Sequence, residues 1–310
     1  MALVVAALAT LIVSGLFWRQ FVLVRTIENQ QLMSQSRLLL RGALDWARSI
    51  LREDAARTIY DNLSEPWAQP LAETRLDQLG ESSALASQAS MSGSMEDAQS
   101  RLNLRNLVGT NCSPDDAQRV VLARLASELS LPGPTADLIS AYVLQTCAPA
   151  GAGTQTGAGT QTGTGAPTGM APPPLPLVFP EDVARVPGLD PAVGPRLAPY
   201  VVMLDAPTPV NFNTASAEVI AAEIALSLSD ARGLVADRDR TPFINTGNIR
   251  LRLIGRGTNF SDSNVSVSSN YFFIRGEIRL QRADTRMEAL VKRASPGSLG
   301  PVDVVWEREL

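Results

Sequence analysis

The side chains that could carry covalent or acid-base chemistry are few in this chain and poorly placed for it. Its 310 residues include no histidine, so no His-based nucleophilic triad can be assembled and zinc sites of the ordinary ligand type are excluded. No P-loop occurs, and Gly255-Arg256-Gly257 lacks the strand-then-helix context of a dinucleotide loop. The acids are scattered without a recognisable pair. Asp237-Arg238-Asp239-Arg240 reads most simply as a solvated helix end with internal ion pairs. The two cysteines, Cys112 and Cys147, form no C-x-x-C. An even pair suits one disulfide in an oxidising compartment and equally a reduced pair in the cytosol. These observations point to a structural and interaction protein rather than an enzyme.

The elements that must position such a protein are easier to read. Met1 to Trp18 contains no charged side chain. At about 1.5 Å per residue it reaches roughly 27 Å, close to the apolar thickness of a bilayer. Basic residues before the apolar run and a small-residue cleavage site after it, the marks of a secretory signal, are missing from Phe17-Trp18-Arg19-Gln20, so a retained membrane helix is expected. Arg19 and Arg25, taken alone, would place the downstream side in the cytoplasm. A basic leader removed from before Met1 would resolve the orientation differently. Net charge is −4, which favours neither nucleic acid nor anionic lipid. Lys292 is the only lysine, and the other basic residues are arginines.

After the span the helical signal continues without Gly or Pro until Gly42. Leu32, Leu39, Ala43, Trp46, Ala47, Ile50 and Leu51 lie near a three-to-four spacing, with Arg37, Arg41, Arg48 and Arg52 turned away from much of that stripe. The helix is expected to lay one face on a globular domain and to stop near Asp61-Asn62-Leu63-Ser64, before Pro66.

Asp115-Asp116 opens a helix carrying Val120, Val121, Leu125 and Leu129, and a second runs from Thr135 to Cys147, so the two cysteines flank a helical hairpin that one bridge could tie. From Ala148 to Pro180 the chain turns to Gly, Thr, Ala and Pro, with GAGTQT repeated, and reads as an exposed, flexible insertion. Ala171 to Pro176 could form polyproline II, although a spacer is the simpler reading. Two similar layouts follow. Phe179-Pro180-Glu181-Asp182 leads into one pair of short helices, and Asn213-Thr214-Ala215-Ser216 into another, with Asn213 or Thr214 as cap, a turn over Leu226 to Ser229, and Asp230 opening the next helix. This layout resembles helix-hairpin-helix repeats, which makes a membrane-anchored DNA-binding or uptake receptor the alternative function. The second hairpin is Gly-free and ends acidic, and Pro187-Gly188-Leu189-Asp190 also carries an acid, so packing or protein contact is favoured over phosphate binding. Val265 to Val267, Tyr271 to Leu280, Arg286 to Val291 and Val302 to Glu307 read as a four-stranded antiparallel meander.

Several segments carry a resemblance in their order along the chain. The opening MALVVAALATLI, ALDWARSIL followed by EPWAQP, SRLNLRNLV, VNFNTASAEVIAA, SNYFFIRGEIRL and the closing VDVVWERE together resemble the minor pseudopilin K family of type II secretion. Ala141-Tyr142-Val143-Leu144-Gln145 departs from the family's Trp-x-Asp helix end. The resemblance implies an α+β, type IV pilin-like fold: a long N-terminal helix, its first part transmembrane, packed on an antiparallel sheet, with a large inserted α-helical domain. On that basis residues 1–24 are the transmembrane part and 25–108 the spine and first part of the αβ body. Residues 109–254 are then the helical insert, containing the 148–180 segment, and 255–310 the final strands.

The resemblance further implies a subunit of the bacterial inner membrane with its bulk in the periplasm, and Met1 as the mature, methylated N-terminus after leader cleavage. Its partners would be the other minor pseudopilins, the major pseudopilin, and at the tip the secreted cargo and outer-membrane channel, with no nucleic acid. Most pilin-like subunits carry glutamate at the fifth residue, where it offsets a neighbour's N-terminal amine; Val5 stands there in this chain. A buried carboxylate without a partner is costly, so a subunit with nothing above it gains by lacking one. The family also has calcium sites, and Asp262 and Asn264 in the oxygen-rich Ser261-Asp262-Ser263-Asn264 are the candidate ligands for Ca2+. A polar turn with Asx hydrogen bonds is the competing reading of that stretch.

Overall fold

A computed structural model of the chain describes residues 1–79, 86–109, 111–147, 174–256, 258, 260–298 and 300–310. These fall into two compact units, a sheet unit of Met1–Arg57, Ser64–Glu96 and Phe272–Leu310, and a helical unit of Thr58–Leu63 and Asp97–Tyr271. The boundaries lie at 96/97 and 271/272 instead of near 108 and 254. Residues 97–108 pair and pack inside the helical unit, through hydrogen bonds that local sequence does not announce.

In the sheet unit, helix α1 runs unbroken over Ala2–Arg57. Residues 1–27 are all exposed and almost wholly apolar up to Trp18. From Leu32 on, one stripe is buried: Leu32, Ser36, Leu40, Leu44, Ala47, Leu51 and Ala55, at steps of three and four. The stripe is rotated from the expected one. Leu39, Ala43 and Ile50 pack at its margin, and Trp46 is half-exposed. The helix ends at Arg57, earlier than expected. Beyond it Asp61 belongs to the helical unit, where its N–H donates to the Val267 carbonyl (2.8 Å) and its Oδ2 accepts from the Ser269 N–H (2.7 Å). The last turn of α1 is satisfied by the Gly297 N–H, which donates to the Ala55 carbonyl at 2.7 Å.

Beneath the helix lies a five-stranded sheet. It is built from β1 (Leu71–Arg75), β2 (Ala89–Asp97), β7 (Tyr271–Leu280), β8 (Ala283–Arg293) and β9 (Val302–Glu309), in the order β1-β2-β7-β8-β9. The β1/β2 and β8/β9 pairs are antiparallel. The expected meander was one strand wrong and two short. Val265–Ser266 is not in this sheet, and β1 and β2 were missed because Leu-Ala-Glu-Thr-Arg and Ala-Ser-Met-Ser-Gly-Ser-Met-Glu-Asp are poor in β-branched and aromatic residues. Gly93 in β2 is required sterically, since a Cβ there would sit 2.8 Å from the Arg275 carbonyl oxygen.

Short strands and helices make up the helical unit. β3 (Leu102–Asn103) pairs in parallel with β4 (Val201–Val202), and β5 (Val210–Asn211) in parallel with β6 (Val265–Ser266). Around them pack α2 (Asp116–Glu128), α3 (Thr135–Cys147), α4 (Val193–Leu197), α5 (Ala217–Ile224), α6 (Leu228–Arg240) and α7 (Thr246–Arg252). The core includes Leu122, Leu125, Ile139, Leu197, Phe212, Ile220 and Phe243. α2 and α3 occupy the expected spans, with Asp115 capping α2 through the Gln118 N–H. Ser216 and Ser227 cap α5 and α6, not Asn213, Thr214 or Asp230.

Most of the expected 148–180 insertion, including Ala171-Pro172-Pro173, lies outside the described residues. From Leu175 the chain is held: the Tyr142 hydroxyl donates to the Leu175 carbonyl at 2.8 Å, and Leu177 is buried.

Candidate functional site

Three features are candidates for function: the bare helix end, the polar lattice inside the helical unit, and a cavity beside α5.

The bare end of α1 is a column of apolar side chains with no cover from the rest of the described chain. Val5 is 67% exposed on it. Trp18 and Phe21 stand at its lower end with ring centroids 6.4 Å apart, and the Arg25 guanidinium lies 5.4 Å from the Phe21 ring. An aromatic pair followed by arginine at the end of an apolar run is what a membrane-water boundary selects. The helix is long and apolar enough to cross a membrane.

Inside the helical unit, four asparagines from the two Asn-rich segments hold backbone to backbone. Asn103 accepts the N–H groups of Arg105 and Leu204 (3.0 and 3.2 Å) and donates to the Ala206 carbonyl at 2.8 Å. Asn106 grips Thr208 at both its N–H and its carbonyl (3.0 and 2.8 Å). Asn213 does the same to Phe243, at 2.8 Å each way. Asn211 donates to Asp97 at 2.9 Å, and Asp97 also accepts from Ser269 Oγ (2.6 Å), Thr214 Oγ1 (2.5 Å) and the Gln99 N–H (2.8 Å). Burial pushes the Asp97 carboxyl up from its ordinary value, and these donors pull it back only in part. Asp97 carried no mark in the sequence, because the side chains that donate to its carboxylate, Asn211, Thr214 and Ser269, are more than a hundred residues away.

Arg238 corrects another expectation. It is 5% exposed and donates to the Phe212 and Ala215 carbonyls, both at 2.5 Å, so the supposed solvated helix end contains a buried splint. Asp239 beside it is exposed.

The remaining predicted residues are placed as follows. Cys112 and Cys147 are joined in a disulfide, with Cα atoms 5.6 Å apart. The α5-α6 hairpin turns on Ala225 in a left-handed conformation (φ 56°), and Ser227 Oγ donates to Asp230 Oδ2 at 2.7 Å. That carboxylate stands where a phosphate grip would need donors. Asp262 pairs with Arg250 at 2.5 Å, and Asn264 Oδ1 accepts from Ser263 Oγ at 3.0 Å. One carboxylate already neutralised by an arginine falls well short of the roughly six to eight oxygens that calcium takes. These residues do not fit the ion as arranged.

Asn264 instead lines a cavity of about 740 Å³ together with Gln118 and Arg124 of α2 and Glu223 of α5. Glu223 is 4% exposed, and desolvation pushes its carboxyl from 4.5 to about 7 against hydrogen bonds from Asn264 and Gln118 and the charge of Arg124. Because the folded pKa is raised, the protonated form is the stabilising one. Its contribution is complete below pH 4.5 and is lost as pH rises through about 7. The helical unit should therefore lose about 3 kcal/mol between pH 4.5 and 8 from this group, and Glu223→Gln should flatten that part of the profile. Denaturant unfolding at pH 5 and pH 8 checks it. Equal pH slopes in the two proteins would refute the assignment.

Comparison with known proteins follows the same outline. Two models of the family described as type II secretion system (T2SS), protein K, match residues 100–206 and 210–268, together more than half of the chain. The type II secretion system protein K of Pseudomonas aeruginosa is 27% identical over 318 aligned positions, covering 98% of this chain and 89% of that protein. Among solved structures, a chain of the GspK-GspI-GspJ complex from the enterotoxigenic Escherichia coli type 2 secretion system is similar in fold. Its TM-score is 0.65 at 22% identity, over 91% of this chain and 98% of that one.

Proposed function

Because the chain belongs to the type II secretion system protein K family, we propose that it is a minor pseudopilin placed at the tip of the pseudopilus. There it nucleates assembly with other minor pseudopilins and caps the filament during protein secretion. The observation that carries this is α1: 27 exposed residues, apolar up to Trp18, continue without a break into the buried spine of the sheet unit. An apolar helix with no cover of its own must find lipid or other helices. In this reading the bare part lies in the inner membrane beside the helices of the other pseudopilins, and both folded units lie in the periplasm. The disulfide suits that oxidising compartment. The likeness to a chain solved in a GspK-GspI-GspJ complex supports the counterparts of those two other subunits as partners. The helical unit would block addition of a further subunit above it and meet cargo or the outer-membrane channel. The reading involves no catalytic step and no nucleic acid.

Val5 supports the terminal position, since a carboxylate there with no amine above it would cost about 3 kcal/mol in an apolar surrounding. The test co-expresses the full chain with the minor and major pseudopilins of its own system and isolates the complexes in detergent. A discrete heteromer is expected. Val5→Glu should lower incorporation at least tenfold while membrane insertion stays near wild type. A chain that remains alone would overturn the proposal, and unchanged secretion and pseudopilus length in Val5→Glu would remove the Val5 argument.

A further inference from the structure

At the end of the sheet unit nearest the bare helix, the two-residue turn between β7 and β8, Gln281-Arg282, comes down on α1. Arg282 donates from Nε to Asn29 Oδ1 (2.7 Å) and from Nη2 to Glu28 Oε2 (3.0 Å), and Arg25 Nη1 donates to the same carboxylate oxygen at 3.1 Å. The turn is fixed from its other side as well: the Gln281 N–H donates to the Gln88 carbonyl (3.2 Å), and Gln281 Nε2 to Gln88 Oε1 (2.7 Å). Between turn and helix lies a cleft of about 410 Å³ in which every lining residue but Leu32 is polar: Arg25, Glu28, Gln31 and Gln35 on α1, Gln281 and Arg282 on the turn. The volume falls within the range of small-ligand sites, about 300–1,000 Å³.

Charge and depth narrow the occupant. Two guanidiniums share one carboxylate here, a local excess of one positive charge that the chain's net −4 conceals. Both arginines stay half-exposed, and of the five N–H donors that each carries, Arg25 spends one on Glu28 and Arg282 spends two on Glu28 and Asn29. The other charges of the hairpin, Arg279, Asp284 and Arg286, pair among themselves and with Glu73 and Glu277. Arg25 follows Phe21 by four residues and Glu28 by seven, about 6 and 10 Å along the helix. The interfacial layer outside the hydrocarbon is roughly 5–8 Å deep. Side chains on a helix lean toward its N-terminus, and the Arg25 guanidinium already lies 5.4 Å from the Phe21 ring. With the aromatic pair at the boundary, the cleft therefore opens at the level of lipid headgroups.

We propose that this cleft holds the headgroup phosphate of an anionic phospholipid, gripped by the spare donors of Arg25 and Arg282, with the amides of Gln31, Gln35 and Gln281 available to the remaining headgroup oxygens. The inference rests on the reading of α1 as a membrane span. A lipid seated there ties the β7–β8 turn to the bilayer surface and sets the height at which the sheet unit stands above it. The excess positive charge selects an anionic headgroup over a zwitterionic one.

The test equilibrates the full chain, in non-ionic detergent, with equal amounts of phosphatidylglycerol and phosphatidylcholine of the same acyl chains, and counts the lipids retained by native mass spectrometry. The parent is expected to favour phosphatidylglycerol by about fivefold and Arg282→Gln to retain the two equally, since one basic residue at an anionic membrane surface is worth about that factor. The melting temperature of Arg282→Gln should stay near the parent's, because the side chain is half-exposed. Glu28→Gln, which frees both guanidiniums, should raise the preference, whereas a role confined to tying the turn to the helix would lower it. Equal retention of the two lipids by the parent, or a preference that survives Arg282→Gln, would overturn the proposal. So would release of the lipid by millimolar inorganic phosphate, which would assign the cleft to a free anion. Alkaline extraction of membranes carrying the full chain tests the premise separately. A chain that washes off overturns both readings, and a chain that stays without preferring phosphatidylglycerol overturns this inference alone.

Discussion

Arg293→Ala should destabilise the sheet unit by about 3–5 kcal/mol, the range seen when one member of a buried ion pair is removed. Arg293 on β8 reaches back to the spine helix, where its Nη1 lies 2.7 Å from Asp54 Oδ2 with side-chain exposures of 1% and 8%. Its guanidinium also covers the Phe272 ring at 4.7 Å. Truncation would keep the Asp54 carboxylate buried while taking away its guanidinium, and would open a hole against Phe272. The two effects can be separated. Arg293→Met restores much of the volume, and adding Asp54→Asn removes the charge that Arg293 offsets, so the double variant should recover a large share of the loss. All four tryptophans (Trp18, Trp46, Trp67, Trp306) lie in the sheet unit, and all four tyrosines (Tyr60, Tyr142, Tyr200, Tyr271) in the helical unit. Tryptophan fluorescence in denaturant therefore reports on the sheet unit. A loss under about 1 kcal/mol would mean the pair behaves like an exposed one and the burial argument is wrong.

Replacing Cys112 and Cys147 by serine should cost the helical unit about 4 kcal/mol, the chain-entropy estimate for a loop closed across 35 positions. The loop contains both α2 and α3, whose Val121, Leu122, Leu125, Ile139 and Val143 are core residues. Without the bridge those helices must find each other from a larger unfolded ensemble. The expected result is an earlier tyrosine transition with the tryptophan transition unmoved, and the same shift when reductant is added to the parent protein. If reductant changes neither transition, the bridge contributes nothing to stability and the loop-entropy account fails.

The cysteine pair also shows where the sequence was legible. The hairpin between the cysteines follows from local pattern: Asp115 at the cap, apolar residues at helical spacing, and Pro132 and Pro134 between the helices. Whether the thiols meet depends on how α2 packs on α3, and spacing left that open. The spine helix was legible in type and start because its period of burial is local. Its end was misplaced because Asp61 is drawn off by Val267 and Ser269, about two hundred positions away. β1 and β2 were invisible for a related reason. Their residues have little preference for strand, and their place in the sheet is fixed by neighbours such as β7, against which Gly93 allows close approach.

The sequence by itself therefore determined the apolar column, the amphipathic spine, the helical hairpin and the lack of histidine, and it carried the family resemblance through the order of its motifs. These properties reside in residue type and in spacings of a few positions, over which caps and helical periods act. Only the tertiary structure decided that Asp97 would be the centre of a buried lattice, that Arg238 would be a splint and not a solvated charge, and that Glu223 would be buried beside a cavity with its carboxyl pushed up. A polar side chain looks the same in sequence whether it meets water or a distant backbone amide. Burial and partners make the difference, and both are set by contacts between segments that the chain brings together only when it folds.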